Sequence, residues 1–208
     1  MPHTRRNPGR PAQTSTEDIL DAAERVGLDS LTRAAVAIEL GVSAATIRHH
    51  VTSSERLYSL ACARAFDRID LASDATAWQD YLRVVSARFG RIVDAHPGVE
   101  DYVLRGPYEQ STLDRFDRII TELEHRDPRM DRRTAHLVGS RTLILTAAMR
   151  IPGRTRYSES NRPDADRISE ATRWTLDAFF AGADSLIEEG RVPEVTPTPD
   201  APWARVQT

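Results

Sequence analysis

The stretch from residue 32 to residue 51 contains two short helical segments that meet at one glycine. Thr32 and Ser43 belong to the residue types that cap helix N-termini, and Gly41 tolerates the positive φ of a sharp helix end. Small and apolar residues stand where two such helices must touch, namely Val36, Ala37, Leu40, Val42 and Ile47. This spacing predicts a helix-turn-helix.

The remaining chain also has helical rather than strand periodicity. Thr14 with Glu17, and Thr52 with Glu55, have the spacing of capping boxes at the starts of two further helices. We therefore predict an all-α chain of about nine helices. The predicted helices cover residues 16–26, 33–40, 44–50, about 53–72, 78–96, 99–105, about 113–127, 131–150 and 164–189.

Composition excludes several classes of protein. Apolar residues form 40% and charged residues 28% of the 208 positions, as in an ordinary folded domain. No apolar run approaches the length of a membrane span, and the N-terminus lacks the apolar stretch of a secretory signal. Cys62 is the single cysteine, which excludes a disulfide framework and a cysteine-based zinc site and favours a cytoplasmic protein.

Charge is distributed unevenly along the chain. The first sixteen residues carry Arg5, Arg6 and Arg10 and no acid, whereas the whole chain has a net charge of −3. A basic, flexible arm over residues 1–13 on an acidic body favours a polyanionic partner, although a solvated disordered tail is the simpler alternative. The sequence PGRP at residues 8–11 is similar to the core of an AT-hook, in which arginine enters the narrow minor groove of A·T-rich DNA.

The helix-turn-helix and its flanks resemble the N-terminal domain of the TetR family of transcriptional regulators. The matching elements are Ile19-Leu20-x-Ala22-Ala23, Leu31-Thr32, Leu40-Gly41-Val42-Ser43, Thr46-Ile47, His50-Val51 and Glu55-x-Leu57. The resemblance implies a DNA-binding domain over residues 14–60 and a ligand-binding and dimerisation domain over residues 61–190. We expect the Pro-rich tail at 191–208 to be disordered. Arg48 and Ser54 depart from the family pattern, which usually has Tyr and Lys there as phosphate contacts.

The predicted DNA-binding residues lie on the arm, at helix N-termini and on the second helix of the motif. They are Arg10, Thr32, Ser43, Ala45, Thr46, Arg48, His49, His50 and Ser53. Thr32 and Ser43 are caps on physical grounds, and the resemblance adds that Thr32 touches phosphate. Arg48 and His49 point away from the core and can reach base edges, whereas His50 suits a structural or phosphate-contacting role. No other histidine lies at metal-ligand spacing, so we predict no metal site.

The resemblance also implies a ligand pocket among the later helices. The candidate lining residues are Trp78, Tyr81, Phe89, Tyr102, Tyr108, Phe116, Leu137, Arg141 and Met149. Each aromatic among them also suits plain core packing. Arg141 shares a predicted helix face with Leu137 and Ile144, so we expect it to need an anion, either a protein carboxylate or an acidic ligand.

The last two long predicted helices carry more apolar surface than one chain needs to cover. Trp174, Leu176, Phe179, Phe180 and Leu186 occupy a wide arc of the final helix, so we predict that they form a homodimer interface. Two helices from each chain would form a four-helix bundle. The same two-fold axis predicts a palindromic double-stranded DNA operator.

Functions from three classes are compatible with an all-α chain. A TetR-like repressor that a small-molecule effector releases from its operator accounts for most of these features. A helical small-molecule binder that has weakened or lost its DNA contacts is the alternative, which Arg48 and Ser54 would permit. An enzyme is not expected, because the sequence has no paired His–carboxylate motif, Gly-rich phosphate loop or nucleophile signature, and we predict no cofactor.

Overall fold

The computed structural model describes residues 14–150 and 165–194. Within these ranges the chain forms nine α-helices and a short 3-10 turn at Leu28–Ser30, with no strand. The helices are α1 (Thr16–Val26), α2 (Arg33–Leu40), α3 (Ala44–His50), α4 (Ser54–Asp67), α5 (Trp78–Ala95), α6 (Val99–Arg105), α7 (Gln110–Arg126), α8 (Arg132–Ala148) and α9 (Ala165–Glu188). The prediction of an all-α fold is confirmed.

Several sequence predictions fall outside the described residues. They concern the basic arm with Arg10 and the tail from 195 onward. No helix within 14–150 and 165–194 is long and apolar enough to cross a membrane.

Two predicted capping boxes are wrong by one residue. Ser15, not Thr14, caps α1: its hydroxyl accepts a hydrogen bond from Asp18 N at 3.1 Å, and the Asp18 carboxylate accepts one from Ser15 N at 2.8 Å. Ser53, not Thr52, caps α4, because its hydroxyl accepts from Arg56 N at 2.9 Å. In both cases a second hydroxyl residue follows the predicted cap directly, and the backbone turns there.

Helix α4 ends at Asp67, five residues before its predicted end near Ala72. Polar groups hold the segment that follows in a non-helical path. The Asp70 carboxylate accepts a hydrogen bond from Ala72 N, and Arg88 Nη1 donates to the carbonyl oxygens of Asp70 and Ala72 at 2.8 and 2.6 Å. Asp side chains compete with helical hydrogen bonding in this way.

The buried residues fall into two clusters that share α4. The smaller cluster joins α1, α2 and α3 to the start of α4, where Leu57 is completely buried. The larger cluster fills the space between α5, α6, α7, α8 and α9 and takes Cys62 and Phe66 from the other end of α4. The domain boundary predicted at residue 60 therefore lies inside a continuous helix.

Ion pairs fix α1 against α4. The Arg64 guanidinium contacts Glu17 at 2.7 Å and Asp21 at 2.5 Å, and Arg68 pairs with Glu24. The hydrogen bond from Arg68 holds the pKa of the Glu24 carboxyl below its usual value. The three-helix N-terminal unit is thus tied to the helix that leads into the rest of the molecule.

Candidate functional site

The turn between α2 and α3 has the geometry that its sequence predicts. Gly41 adopts the left-handed conformation, with φ 65° and ψ 30°, which a residue with a Cβ rarely adopts. Val42 N then donates to the Ala37 carbonyl at 3.0 Å and closes the end of α2. Because Ile47 is completely buried against this corner, the opposite side of α3 faces solvent.

Helices α2, α3 and α4, like α1, each begin at a hydroxyl cap. Thr32 Oγ1 accepts from Ala35 N at 3.0 Å, and Ser43 Oγ accepts from Thr46 N at 3.1 Å. These two predicted caps are confirmed, and Ser53 supplies the third. A capped N-terminus still presents unpaired backbone N–H groups, which attract anions such as phosphate.

The solvent side of α3 carries the residues predicted to read DNA. Ala45, Arg48 and His49 are exposed, whereas Thr46 and His50 are half-buried. Arg48 forms no ion pair with a described residue, so its guanidinium is available to an external acceptor. The two histidine rings meet edge to face at 5.5 Å, and no group of three metal-ligating residues occurs within the described ranges.

Four of the aromatic residues predicted to line a pocket belong to the packed interior. Trp78, Tyr81, Phe89 and Tyr102 are each at most 2% exposed. The Tyr102 hydroxyl shares a hydrogen bond with Thr112 and accepts one from Glu109 N at 2.8 Å. Burial raises the pKa of Tyr81 and of Tyr102 to about 12, so both phenols are neutral at physiological pH. These four aromatics therefore pack in the core, which was the alternative to lining a pocket.

Tyr108 and Phe116 line a real but very small apolar cavity. Its volume is about 20 Å³, and Phe66, Val85 and Leu143 also face it. Such a space holds about one water molecule, whereas ligand pockets measure about 300–1,000 Å³. The interior between α4, α5, α7 and α8 is therefore closed to a ligand in this conformation.

An apolar groove of about 380 Å³ lies between α8 and α9 at the surface. Leu137 and Arg141 of α8 face Phe179, Gly182 and Leu186 of α9 across it. Arg141 is exposed, so it does not need the anion that the sequence led us to expect. Met149 follows α8 as its half-buried C-cap and does not line the groove.

The predicted dimer residues on α9 divide between two faces. Leu176 and Phe180 are 3% and 1% exposed and pack within the chain, where the Phe180 ring meets Trp78 edge to face at 5.5 Å. Their assignment to a dimer interface is wrong, because α9 needs this face to cover α5. Trp174 and Leu186 remain 74% and 39% exposed, and Phe179 is half-buried beside them.

A second cavity, of about 280 Å³, lies between α5, the end of α8 and α9. The described part of its lining is strongly basic, with Arg83, Arg91, Arg150 and Arg173 against one acid, Asp94. The side chain of Arg150 is 7% exposed and donates from Nη1 to the Thr146 carbonyl at 3.1 Å. Helices α5 to α9 form the body of the molecule. The buried arginine of the body is thus Arg150 rather than Arg141.

No family model matches the sequence, and no curated protein matches it either. Solved structures do match. A TetR variant from Acinetobacter baumannii AYE in complex with minocycline superposes with a TM-score of 0.67 at 15% identity, over 84% of this chain and 98% of that chain. ActR from Streptomyces coelicolor gives 0.64 at 16% identity without ligand (88% of this chain, 97% of that chain) and 0.62 at 16% identity with actinorhodin (86% and 96%).

The chain has the TetR fold. The likeness extends over both parts of the molecule, since nearly the whole length of each solved chain is covered. Within this TetR fold, α2 and α3 are the helix-turn-helix, and α8 and α9 carry the exposed apolar groove.

Sequence reasoning missed the basic cavity of the TetR-fold body. Its residues come from positions 83–94, 150 and 172–176, which no local motif connects. One signal was present: Gly90 stands inside a helix, beside Phe89 of its apolar stripe, where glycine is unfavourable unless close packing requires it. A Cβ at Gly90 would lie 2.1 Å from Nη2 of Arg150, so the glycine is what admits the guanidinium.

Proposed function

We propose that this protein is a TetR-family transcriptional repressor that binds a palindromic DNA operator as a homodimer and is released by a small-molecule effector. The observation that carries the proposal is the α2–α3 corner, with hydroxyl-capped helix starts and an unpaired Arg48 on the solvent side of α3. The TetR fold of the whole chain supports it.

DNA recognition is divided between positioning and reading. The capped starts of α2, α3 and α4 offer N–H groups to backbone phosphates, and Thr32, Ser43 and Ser53 hold those starts in place. Arg48 offers the fork of donors that suits O6 and N7 of guanine, and His49 stands beside it. Ala45 is small enough to let α3 approach the base edges.

The groove between α8 and α9 supports the homodimer. Trp174 and Leu186 leave apolar surface in water, and Ala178 and Gly182 between them allow close approach of a second helix. A two-fold pairing of this surface covers both copies at once. It sets the two α3 helices toward half-sites about one helical turn, 34 Å, or somewhat more apart.

An effector-binding protein without DNA binding is the second candidate. It is favoured by Ser54, which is exposed as the first residue of α4 where related regulators carry Lys, and by Arg48 in place of Tyr. Both changes remove phosphate contacts that the family resemblance implies. The two candidates differ in DNA affinity alone.

The deciding experiment is selection of duplexes by the full chain from a random DNA pool, followed by fluorescence anisotropy on the enriched sequence. The proposal expects an inverted repeat that binds at about 10⁻⁸ M or tighter at physiological salt. It also expects one dimer per repeat by sedimentation. Recovery of no sequence above background would refute it in favour of the second candidate.

A further inference from the structure

The basic cavity of the body concentrates positive charge. Among the described residues, four arginines line it against one aspartate. The charge of Arg83 is paired with two aspartates that are not among the lining residues, because Asp177 and Asp80 each contact its guanidinium at 2.7 Å. Arg91 and Arg173 form no ion pair that the described part of the chain shows.

Arg150 is buried in the wall of this cavity, and Asp94 is its one acidic partner within the described ranges. Asp94 approaches its Nε only to 3.3 Å and is itself 58% exposed. The remaining protein acceptor that the described residues provide is the Thr146 carbonyl, bound by Nη1. A guanidinium in a low-dielectric site is costly without a well-placed anion.

Helix α5, which packs against Arg150, leaves space for this guanidinium. Gly90 lets Nη2 of Arg150 lie against the backbone of α5, where any side chain would collide with it. Ser86 also lines the cavity, and its hydroxyl forms a buried hydrogen bond of 2.7 Å with the hydroxyl of Thr146. Leu176 and Ala87 supply the apolar part of the lining.

We propose that this cavity binds a small organic carboxylate. Arg150 and Arg91 hold the carboxylate group through charge-assisted hydrogen bonds, and the apolar body of the ligand lies against Leu176 and Ala87. The volume of about 280 Å³ is just below that of drug-sized pockets, so the ligand is a compact acid. A monoanion suits the site because Asp94 at its rim repels a more highly charged ligand.

Helix α5 connects this cavity to the N-terminal unit, and a regulatory role for the carboxylate rests on the function proposed above. Five lining residues of the cavity lie on α5, and three of them, Ala87, Arg91 and Asp94, lie on its second half. Directly after the helix, His96 shares a crevice with Glu24 of α1, and the Gly98 carbonyl accepts a hydrogen bond from Tyr58 of α4 at 2.6 Å. A shift of α5 on ligand binding therefore reaches the helices that carry the helix-turn-helix.

The test measures binding without DNA. The full chain is titrated with straight-chain carboxylates from acetate to octanoate, benzoate and phenylacetate, and with the neutral amides of the same acids, by thermal shift and calorimetry. We expect at least one carboxylate to raise the Tm and to bind with one-to-one stoichiometry, and its amide to bind about tenfold more weakly or not at all. Failure of every carboxylate, or equal binding of the amide, overturns the proposal.

Variants locate the binding site. Arg150→Gln and the surface substitution Arg91→Ala should each weaken the carboxylate about tenfold. Arg118→Ala removes the same charge from the exposed side of α7, outside the cavity, and should leave binding unchanged. Arg91→Ala keeps the test decisive if Arg150→Gln fails to fold. Unaltered binding in Arg91→Ala, or loss in Arg118→Ala, would place the ligand elsewhere and overturn the assignment.

The regulatory step is measured separately on the selected duplex. A saturating carboxylate should weaken DNA binding about fivefold or more in the wild type, and Arg91→Ala should need about tenfold more carboxylate for the same effect. Carboxylate binding with unchanged DNA affinity contradicts the regulatory role and leaves the site intact. Absence of DNA binding altogether refutes the proposed function, while the DNA-free titrations still decide whether the cavity binds carboxylates.

Discussion

The two core clusters of this molecule are built from different side chains. The N-terminal cluster contains Ile, Val, Leu and Ala and no aromatic residue. In the described ranges the body cluster contains seven buried aromatics: Phe66, Trp78, Tyr81, Phe89, Tyr102, Phe116 and Phe180. Small aliphatic residues let short helices pack closely at a tight corner, whereas large aromatics fill the wider space between long helices.

The two regions also differ in where their polar side chains lie. The N-terminal unit has an aliphatic core and presents polar groups at helix starts and on the outer side of α3. The body keeps an arginine and two hydroxyls within its interior, at a cavity that three helices surround. Our proposals accordingly place DNA binding on the surface of one region and small-molecule binding in a cavity of the other.

The largest expected effect comes from emptying the aromatic core. Phe180→Ala should destabilise the chain by about 3–5 kcal/mol, because the ring is 1% exposed and contacts Trp78. Urea denaturation followed by circular dichroism measures this loss. Ile38→Ala is the control in the other region, since Ile38 is 82% exposed, and should change stability by less than about 0.5 kcal/mol. Similar losses for both variants would mean that Phe180 is not a core residue.

The next largest expected effect is a loss of operator affinity when a base-reading residue of α3 is removed. Arg48→Ala should cost about 1–3 kcal/mol on the selected operator and relax the preference at one base pair. The unfolding free energy should not change, because the side chain is exposed. Arg105→Ala, which removes an exposed arginine of α6 that pairs only with Asp101 among the described residues, is the matched control for charge. If the loss is equal on random DNA, Arg48 touches phosphate and reads no base.

The basic arm should act through salt-dependent affinity. Removal of residues 1–12 deletes up to three arginine–phosphate contacts, each of which contributes about −0.9 to the slope of log K against log salt concentration. Anisotropy titrations between low and physiological salt measure that slope for both proteins. An unchanged slope would assign the arm to its simpler role as a solvated tail.

Sequence patterns predicted the N-terminal unit better than the body, and the reason is physical. Helix caps and the left-handed turn at Gly41 depend on residues three or four positions apart, so a single sequence contains them. The errors at Thr14 and Thr52 arose because a second hydroxyl residue follows each of them, and either residue of such a pair can cap a helix. Local rules do not choose between them.

The body's site depends on contacts between distant residues. Arg150 meets Gly90 and Asp94 nearly sixty residues away, and the sequence around each of them looks like ordinary amphipathic helix. The same limit explains α9, where periodicity revealed a wide apolar arc but not which part of it covers α5. Leu176 and Phe180 turned out to face inward, and Trp174 and Leu186 outward.

The smallest expected effect separates the two roles of Thr32. Thr32→Ala should destabilise the chain by about 1 kcal/mol, because the hydrogen bond from Ala35 N is lost. Thr32→Asp keeps a cap of equal or better strength, so its unfolding free energy should match the wild type. If Thr32 also lies against a phosphate, the new carboxylate repels it, and operator affinity should fall although stability does not. Wild-type affinity in Thr32→Asp would leave Thr32 as a helix cap alone and would remove the start of α2 from the DNA interface.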